Sequence, residues 1–256
     1  MRIIAIVNQK GGVGKTTTAI NLAAALAEQG KRVLLVDIDP QGNASTGLGV
    51  MRADRSLTSY DVIVDGADIN DAIYETAVEG LTLLPSDMDL SGAELELGAA
   101  QGRTTKLKEA LAALHKKPDF VLLDCPPSLS LLTVNALTAA HSVIVPLQCE
   151  FYALEGLSQL LQTVEMAKGS LNPDLVIEGV MLTMYDPRNR LSGQVVADVR
   201  KHLGRAVFKT VIPRNVRIAE APSFGLPVTS YDRRSKGAQA YMALAREILG
   251  RRRRQK

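Results

Sequence analysis

The sequence predicts an α/β domain in which a mostly parallel, twisted sheet carries helices on both faces. Three observations lead there. Apolar runs of strand length recur along the chain, helical stretches fill most of the intervals, and no Pro/Ser-rich linker or repeat period breaks the alternation. The first run, Ile3–Asn8, is followed by Gly-rich sequence and an Ala/Leu helix from about Lys15 to Gln29, which Gly30 ends as glycine commonly does. Arg32–Asp37 is a second, Val- and Leu-rich run. Others follow at Leu81–Pro85, Phe120–Asp124, Ser142–Leu147 and Val176–Thr183. Helices are expected at Ser91–Ala99, Thr104–His115, Leu129–Ala140 and Ala153–Lys168. Strands with near-continuous apolar character are buried on both faces, as in parallel sheets. Residues 1–256 read as one domain, with a basic C-terminal region from about 188 to 256.

Bulk properties narrow the class. The length suffices for a sizeable core, and 46% apolar with 22% charged residues is ordinary for a soluble globular protein. No run approaches the roughly eighteen apolar residues of a membrane-spanning helix, and no signal-peptide pattern precedes the first strand. Cys125 and Cys149 are too few for a disulfide framework and lack metal-ligand spacing, so a cytoplasmic protein is expected. His115, His141 and His202 share no spacing and receive no role. The net charge of +3 hides an asymmetry. Residues 1–187 hold 13 Lys/Arg against 23 Asp/Glu, a net of −10, whereas residues 188–256 hold 17 against 4, a net of +13. A basic face for polyanions is the implied feature.

Gln9-Lys10-Gly11-Gly12-Val13-Gly14-Lys15-Thr16-Thr17 follows a strand and opens a helix, the context a phosphate-binding loop requires. Glycines let backbone N–H groups converge on phosphates, where the helix N-terminus adds partial positive charge. Residues Lys10, Gly11, Gly12, Val13, Gly14, Lys15, Thr16 and Thr17 are therefore the nucleotide-binding candidates. Lys15 is placed to reach the β and γ phosphates, and the Thr16 hydroxyl to ligate Mg²⁺. Gln9 stands where the standard pattern has its first glycine, and Lys10 is a lysine the standard pattern lacks. A nicotinamide fingerprint fails, because Thr17 stands where glycine or alanine is needed.

Ligands of α/β sheets bind beyond the carboxyl ends of the strands. Two predicted strands end there in aspartate, as Val36-Asp37-Ile38-Asp39-Pro40-Gln41-Gly42-Asn43 and as Val121-Leu122-Leu123-Asp124-Cys125-Pro126-Pro127. Asp124, after four apolar residues, has the setting of the Mg²⁺-side acid of phosphate-loop proteins. Asp39 is the candidate to orient the attacking water, and with Thr16 and Asp124 completes the candidate metal set. Asp37 either assists Mg²⁺ or caps the strand end. Cys125 reads as a small buried hydrophobe.

KGGVGKTT, DIDPQGN and LLDCPP, in this order, closely resemble the deviant Walker A ATPases and, within them, the ParA/Soj chromosome and plasmid partition proteins. The likeness covers nearly the whole chain and includes Leu182–Arg188, Ile212–Arg217 and Glu220–Ser223. It implies a single phosphate-loop NTPase domain that binds ATP with Mg²⁺ and hydrolyses it slowly as a sandwich dimer. Lys10 aligns with the signature lysine that reaches the partner subunit's nucleotide, which makes Lys10, Lys15 and Asp39 the catalytic set. Pro213, Arg214 and Asn215 align with the adenine-recognising loop, with Met184 nearby. The resemblance also implies non-specific double-stranded DNA and a ParB-type centromere-binding protein as partners, with nucleoid association. The chain starts almost at the first strand, so the operator-binding domain of larger plasmid members is expected to be missing.

Two relatives of the loop compete with this reading. A MinD-like membrane switch calls for a basic amphipathic C-terminal helix, whereas this chain ends in glycine and bare charge, Gly250-Arg251-Arg252-Arg253-Arg254-Gln255-Lys256. An iron–sulfur reductase resembling the nitrogenase iron protein needs two bridging cysteines, and Cys125 abuts the metal-side aspartate instead. Candidate DNA contacts are Arg188, Arg190, Arg200, Lys201, Arg217, Arg233, Arg234 and Lys236. With few aromatics among them, contact with duplex phosphates fits better than base stacking.

Overall fold

A computed structural model describes residues 1–98, 100–150 and 153–252. Strands β1 (Arg2–Ile6), β2 (Val33–Asp37), β3 (Tyr74–Glu75), β4 (Leu81–Leu84), β5 (Phe120–Asp124), β6 (Ser142–Gln148), β7 (Val176–Tyr185) and β8 (Val207–Pro213) form one sheet. The order across it is β3-β4-β2-β5-β1-β6-β7-β8, and only the short β3 runs antiparallel to its neighbour. Apart from Arg2 and the terminal aspartates of β2 and β5, the central strands β1, β2 and β5 are apolar, and they are almost wholly inaccessible, as strands covered on both faces must be.

Helix α1 (Lys15–Ala27) follows β1 and is buried along most of its length, its alanines allowing close approach to the sheet. The short α2 (Asn43–Gly47), α3 (Ala93–Glu96) and α4 (Lys106–Ala112) follow, then α5 (Leu131–Ala139), α6 (Ala153–Ser170) and α7 (Arg190–Leu203). The chain continues through α8 (Val216–Glu220), α9 (Val228–Tyr231) and α10 (Lys236–Arg252). One core cluster joins Val36, Val121 and Leu123 to Leu107, Ala136 and Val199; the other joins Ile4, Leu35 and Phe120 to α1 and α10. The two apolar layers on opposite faces account for the burial of the central strands.

Several elements depart from the expected ones. The helix expected over Ser91–Ala99 is a 3-10 turn, Met88–Gly92, followed by the single α turn of α3; Ala99 lies outside the described residues. Leu95 at its centre is 89% exposed, so its apolar pattern buries too little to propagate a helix. Strand β8 and helices α7 and α10 lie beyond the marked runs. Strand β8, Val-Phe-Lys-Thr-Val-Ile-Pro, carries polar residues because it is a sheet edge. Helix α10 buries Ala238, Tyr241, Leu244, Ala245 and Ile248, so within the described residues its apolar face is already used inside the protein. None of the described helices is long and apolar enough to cross a membrane.

Leu244 is inaccessible in this second cluster, where α10 meets α1 and β8. Leu244→Ala should lower unfolding stability by about 2–4 kcal/mol, read as a lower denaturant midpoint at unchanged slope.

Candidate active site

Strand pairing sets the centre of the site. β5 lies between β1 and β2, with Asp124 in register with Ile6 on one side and Asp37 on the other. Two carboxylates are thereby brought together at the carboxyl ends of adjacent strands, both inaccessible to solvent. Asp37 is well partnered. Its oxygens accept from the Ser45 backbone N–H at 2.9 Å, the Ser45 hydroxyl at 2.7 Å and the Asp39 N–H at 3.2 Å. Burial pushes its carboxyl up to about 6 against the pull of these donors, and the Asp39 charge adds to the rise. Of the two sequence roles for Asp37, this geometry serves the second: it caps the strand end and holds the turn after it.

Asp124 is different. Neither of its carboxylate oxygens completes a hydrogen bond of ordinary geometry, although the Thr16 hydroxyl faces it. Burial and then the Asp37 charge hold this carboxyl well above the usual carboxylate range. Lys15 is also buried, at 7% exposure, and its Nζ donates to the Lys10 carbonyl at 3.1 Å. Burial lowers the Lys15 ammonium, and the charges of Asp124 and Asp39 oppose that fall. A buried lysine and a buried, unsatisfied carboxylate at one strand–helix junction are strained by solvation alone. That is the signature of a site completed by a ligand.

The loop between them is anchored at three points. Asn8 donates to the Pro146 carbonyl at 2.7 Å and accepts from the Lys10 N–H at 3.0 Å. The Thr183 hydroxyl at the end of β7 donates to the Val13 carbonyl at 2.9 Å. Gly12 and Gly14 take φ of 73° and 89°, the left-handed region that glycine enters without strain, and Gly14 leads into α1. Gly11, Gly12 and Lys10 are exposed, Gly14, Thr16 and Thr17 half-buried, and Val13 buried beneath them. Lys10 points outward and forms an exposed ion pair with Glu150 at 3.3 Å. Asp39 is 7% exposed and accepts from the Gln41 N–H at 3.0 Å, which shapes its turn.

Met184 and the Pro213–Asn215 segment come together because the Arg214 N–H donates to the Tyr185 carbonyl at 2.9 Å. Met184 has φ of 54°, alone among the described non-glycine residues in being left-handed, a strain of the sort found beside ligands. The Asn215 side-chain oxygen is buried without a partner.

The basic candidates separate into three groups. Arg188 is held by Asp186 through contacts at 3.0 and 2.8 Å, Arg217 by Glu220 and Asp232, and Arg233 by Glu28. Arg190, Lys201, Arg234 and Lys236 are exposed and form no ion pair among the described residues. Arg200 donates to the Lys209 carbonyl and lines a cleft of about 1310 Å³ with Arg205, Lys209 and Arg251. That cleft lies at the starts of β7 and β8, at the far end of the sheet from the phosphate loop. Arg205 and Lys209 were not separable in sequence from other surface charge; only strand β8 brings them to one cleft. Glu247 opposite them is already engaged by the Lys209 and Thr210 N–H groups and by Arg251.

Comparison with known proteins fits this geometry. A family model described as an AAA domain matches residues 1–177. The chain is 59% identical over 255 residues to the chromosome partitioning protein ParA of Caulobacter vibrioides, covering 99% of this chain and 96% of that protein. It is 58% identical over 247 residues to the sporulation initiation inhibitor protein Soj of Bacillus subtilis, covering 96% of this chain and 98% of that one. The chain belongs to the ParA/Soj family. Among solved structures, a cobyrinic acid a,c-diamide synthase from Mycobacterium smegmatis with bound ADP and magnesium superposes with a TM-score of 0.87 at 42% identity, over 100% of this chain and 97% of that one. The septum site-determining protein MinD of Pyrococcus horikoshii, complexed with Mg-ADP, gives 0.80 at 34% identity, covering 96% and 95%. A synthase, a septum protein and partition proteins share one fold, so the function of a ParA/Soj member is argued from its site.

The lone Asp124 carboxylate yields a test. Asp124→Asn removes a buried charge that Lys15 and the Thr16 hydroxyl offset only in part, so the metal-free protein should gain about 1–3 kcal/mol at neutral pH while losing Mg²⁺-dependent nucleotide binding. A carboxyl whose folded-state pKa is raised is penalised only where it is ionised. The gain should therefore shrink as pH falls toward the ordinary carboxylate range and the wild-type group takes up its proton. Thermal melts across pH check the sign; a variant less stable than wild type at neutral pH refutes it.

Proposed function

We propose that this ParA/Soj family member is an ATP-dependent dimerising switch that binds duplex DNA without sequence preference. ATP hydrolysis, stimulated by a ParB-type partner, then drives partition, and the identity to chromosome partitioning proteins favours the chromosome as cargo. The observation that carries the reading is the Asp124 carboxylate, buried and unsatisfied between the Thr16 hydroxyl and the Asp37 strand end. This donor set fits Mg²⁺, which takes few protein ligands and keeps water and phosphate oxygens for the rest. Thr16 and Asp124 are the residues to hold it, with Asp39 beside them; bound there, it would neutralise charge on the phosphates.

The protein's own groups supply the rest. Lys15 is held in the loop by a single carbonyl contact, which a phosphate oxygen can replace with a charge-assisted bond. The unpartnered Asn215 oxygen suits an exocyclic amine of adenine, and the strained Met184 backbone adjoins it through Tyr185. Asp39 is the group to orient the attacking water. Lys10, exposed and paired among the described residues with Glu150 across 3.3 Å of solvent-facing space, is free to exchange that partner for a nucleotide on a second subunit. The membrane alternative loses support, because α10 spends its apolar face on the core.

Lys15→Ala should abolish measurable ATP affinity in calorimetry; wild-type affinity would remove the loop from the reading. Lys10→Ala should bind ATP as a monomer yet fail to dimerise on gel filtration with ATP, and normal dimerisation refutes its role between subunits. For DNA, ATP should promote salt-sensitive binding to random duplex, with a slope of about −0.9 in log affinity per phosphate contacted. The uncompensated cations make a sharper forecast than the paired ones. Replacing Arg200 and Lys201 together should flatten the slope, because no carboxylate among the described residues pairs with either; replacing Arg188, already held by Asp186, should flatten it less. An electrophoretic shift beside sedimentation with anionic vesicles decides; ATP-dependent retention on vesicles alone overturns the partition reading.

A further inference from the structure

We propose that Arg55 is a positioning residue for hydrolysis, a clamp that fixes the segment carrying Asp39. The inference rests on reading Asp39 as the residue that orients water. Arg55 lies within residues 53–102, a stretch of eleven Asp/Glu in which it is the sole Lys or Arg. Among the described residues it pairs with none of those acids. Its guanidinium turns inward instead. Nη2 donates to the carbonyls of Gly42 at 3.3 Å and Val50 at 2.9 Å and to the Thr46 hydroxyl at 2.8 Å; Nε donates to Val50 at 3.2 Å, and Nη1 to the Ser86 carbonyl at 2.5 Å. One planar fork thus ties three points of the 42–50 segment to Ser86, two residues after β4. Burial lowers its pKa, as expected of a cation solvated by carbonyls rather than water.

The segment so held is the one that shapes Asp39. The Gly42 N–H closes a turn onto the Asp39 carbonyl at 2.9 Å, and Gly42 has φ of 61°. A Cβ at Gly42 would stand 2.5 Å from Arg55 Nη1 and 2.8 Å from the Ser86 carbonyl oxygen, so glycine is what lets the clamp close. From the inner side, Asp37 holds Ser45, whose hydroxyl accepts from the Ser86 N–H at 3.0 Å. Ser86 is therefore gripped twice, and the Asp39 turn is pinned from the core by Asp37 and from the surface by Arg55. Lysine, with one point charge, has no fork to span these acceptors.

The test uses the full chain. Phosphate release measures turnover, a fluorescent ATP analogue with Mg²⁺ measures affinity, and circular dichroism confirms the fold. Arg55→Ala should slow turnover about tenfold or more while analogue affinity stays within about twofold, because misplacing a water-orienting group affects the reaction rather than ground-state binding. Millimolar guanidinium should restore part of the lost rate, and Arg55→Lys should recover little. Gly42→Ala, which displaces the fork from the other side, should repeat the pattern and carries the test, with Arg55→Lys, if Arg55→Ala does not fold. Asp39→Ala run in parallel separates the two ideas. Adding Arg55→Ala to Asp39→Ala should slow turnover no further, since both act through one group. Wild-type turnover in Arg55→Ala, equal losses of affinity and rate, or a further loss in the double variant overturns the clamp. Full turnover in Asp39→Ala overturns the reading beneath it.

Discussion

The juxtaposition of Asp37 and Asp124 is the constraint on which the rest of the site depends. Pairing β2 with β5 in parallel register leaves the two carboxylates side by side at 0% exposure, where charge is poorly solvated. The fold resolves this conflict for one and not the other. Asp37 receives three donors from its own downstream turn, whereas Asp124 receives no completed hydrogen bond and is left raised beside Lys15. Donors given to Asp37 bind the turn that carries Asp39, so the arrangement that tolerates the first carboxylate also places the third. By burial alone, an apolar residue at 124 would pack more favourably than a carboxylate without hydrogen-bond partners. An aspartate there fits a site that receives a cation.

The parts legible in the sequence are those where local pattern and chemistry coincide. The phosphate loop was readable because glycines, a lysine and a threonine at fixed offsets sit between a strand and a helix, and each central strand announces itself by a run of buried residues. Asp124 was placed by the same token, as the polar residue that ends an apolar run. What pattern does not carry is pairing. That Asp37 is a capping group follows from Ser45, eight residues on, and that Arg55 reaches Ser86 follows from β4 lying beside β2. The last third was hardest, since β8 is a polar edge strand and α7 exposes much of its surface. Arg200 and Lys201 also have a purely structural reason to be where they are. They lie in the last turn of α7, where cations offset the helix dipole.

Strand order gives the charge asymmetry its meaning. Along the chain it is only a difference between a long acidic part and a short basic one. In the sheet, the acidic residues 53–102 surround β3 and β4 at one edge, while the basic segment builds β8 and α7 at the other, with the five strands β2, β5, β1, β6 and β7 between them. A solution of interspersed charges would have given solubility without direction. Separated edges give the molecule a direction instead: in the proposed function a polyanion would be repelled from the β3 edge and drawn to the β8 edge, so its encounters would be oriented before any contact forms. The same two edges flank the central strands that hold the phosphate loop. Strand β7 links the regions physically, with Thr183 fastened to Val13 at one end and Val176 lining the cationic cleft at the other. A single ten-residue strand therefore has its two ends at the two places where this protein meets phosphate in the proposed function.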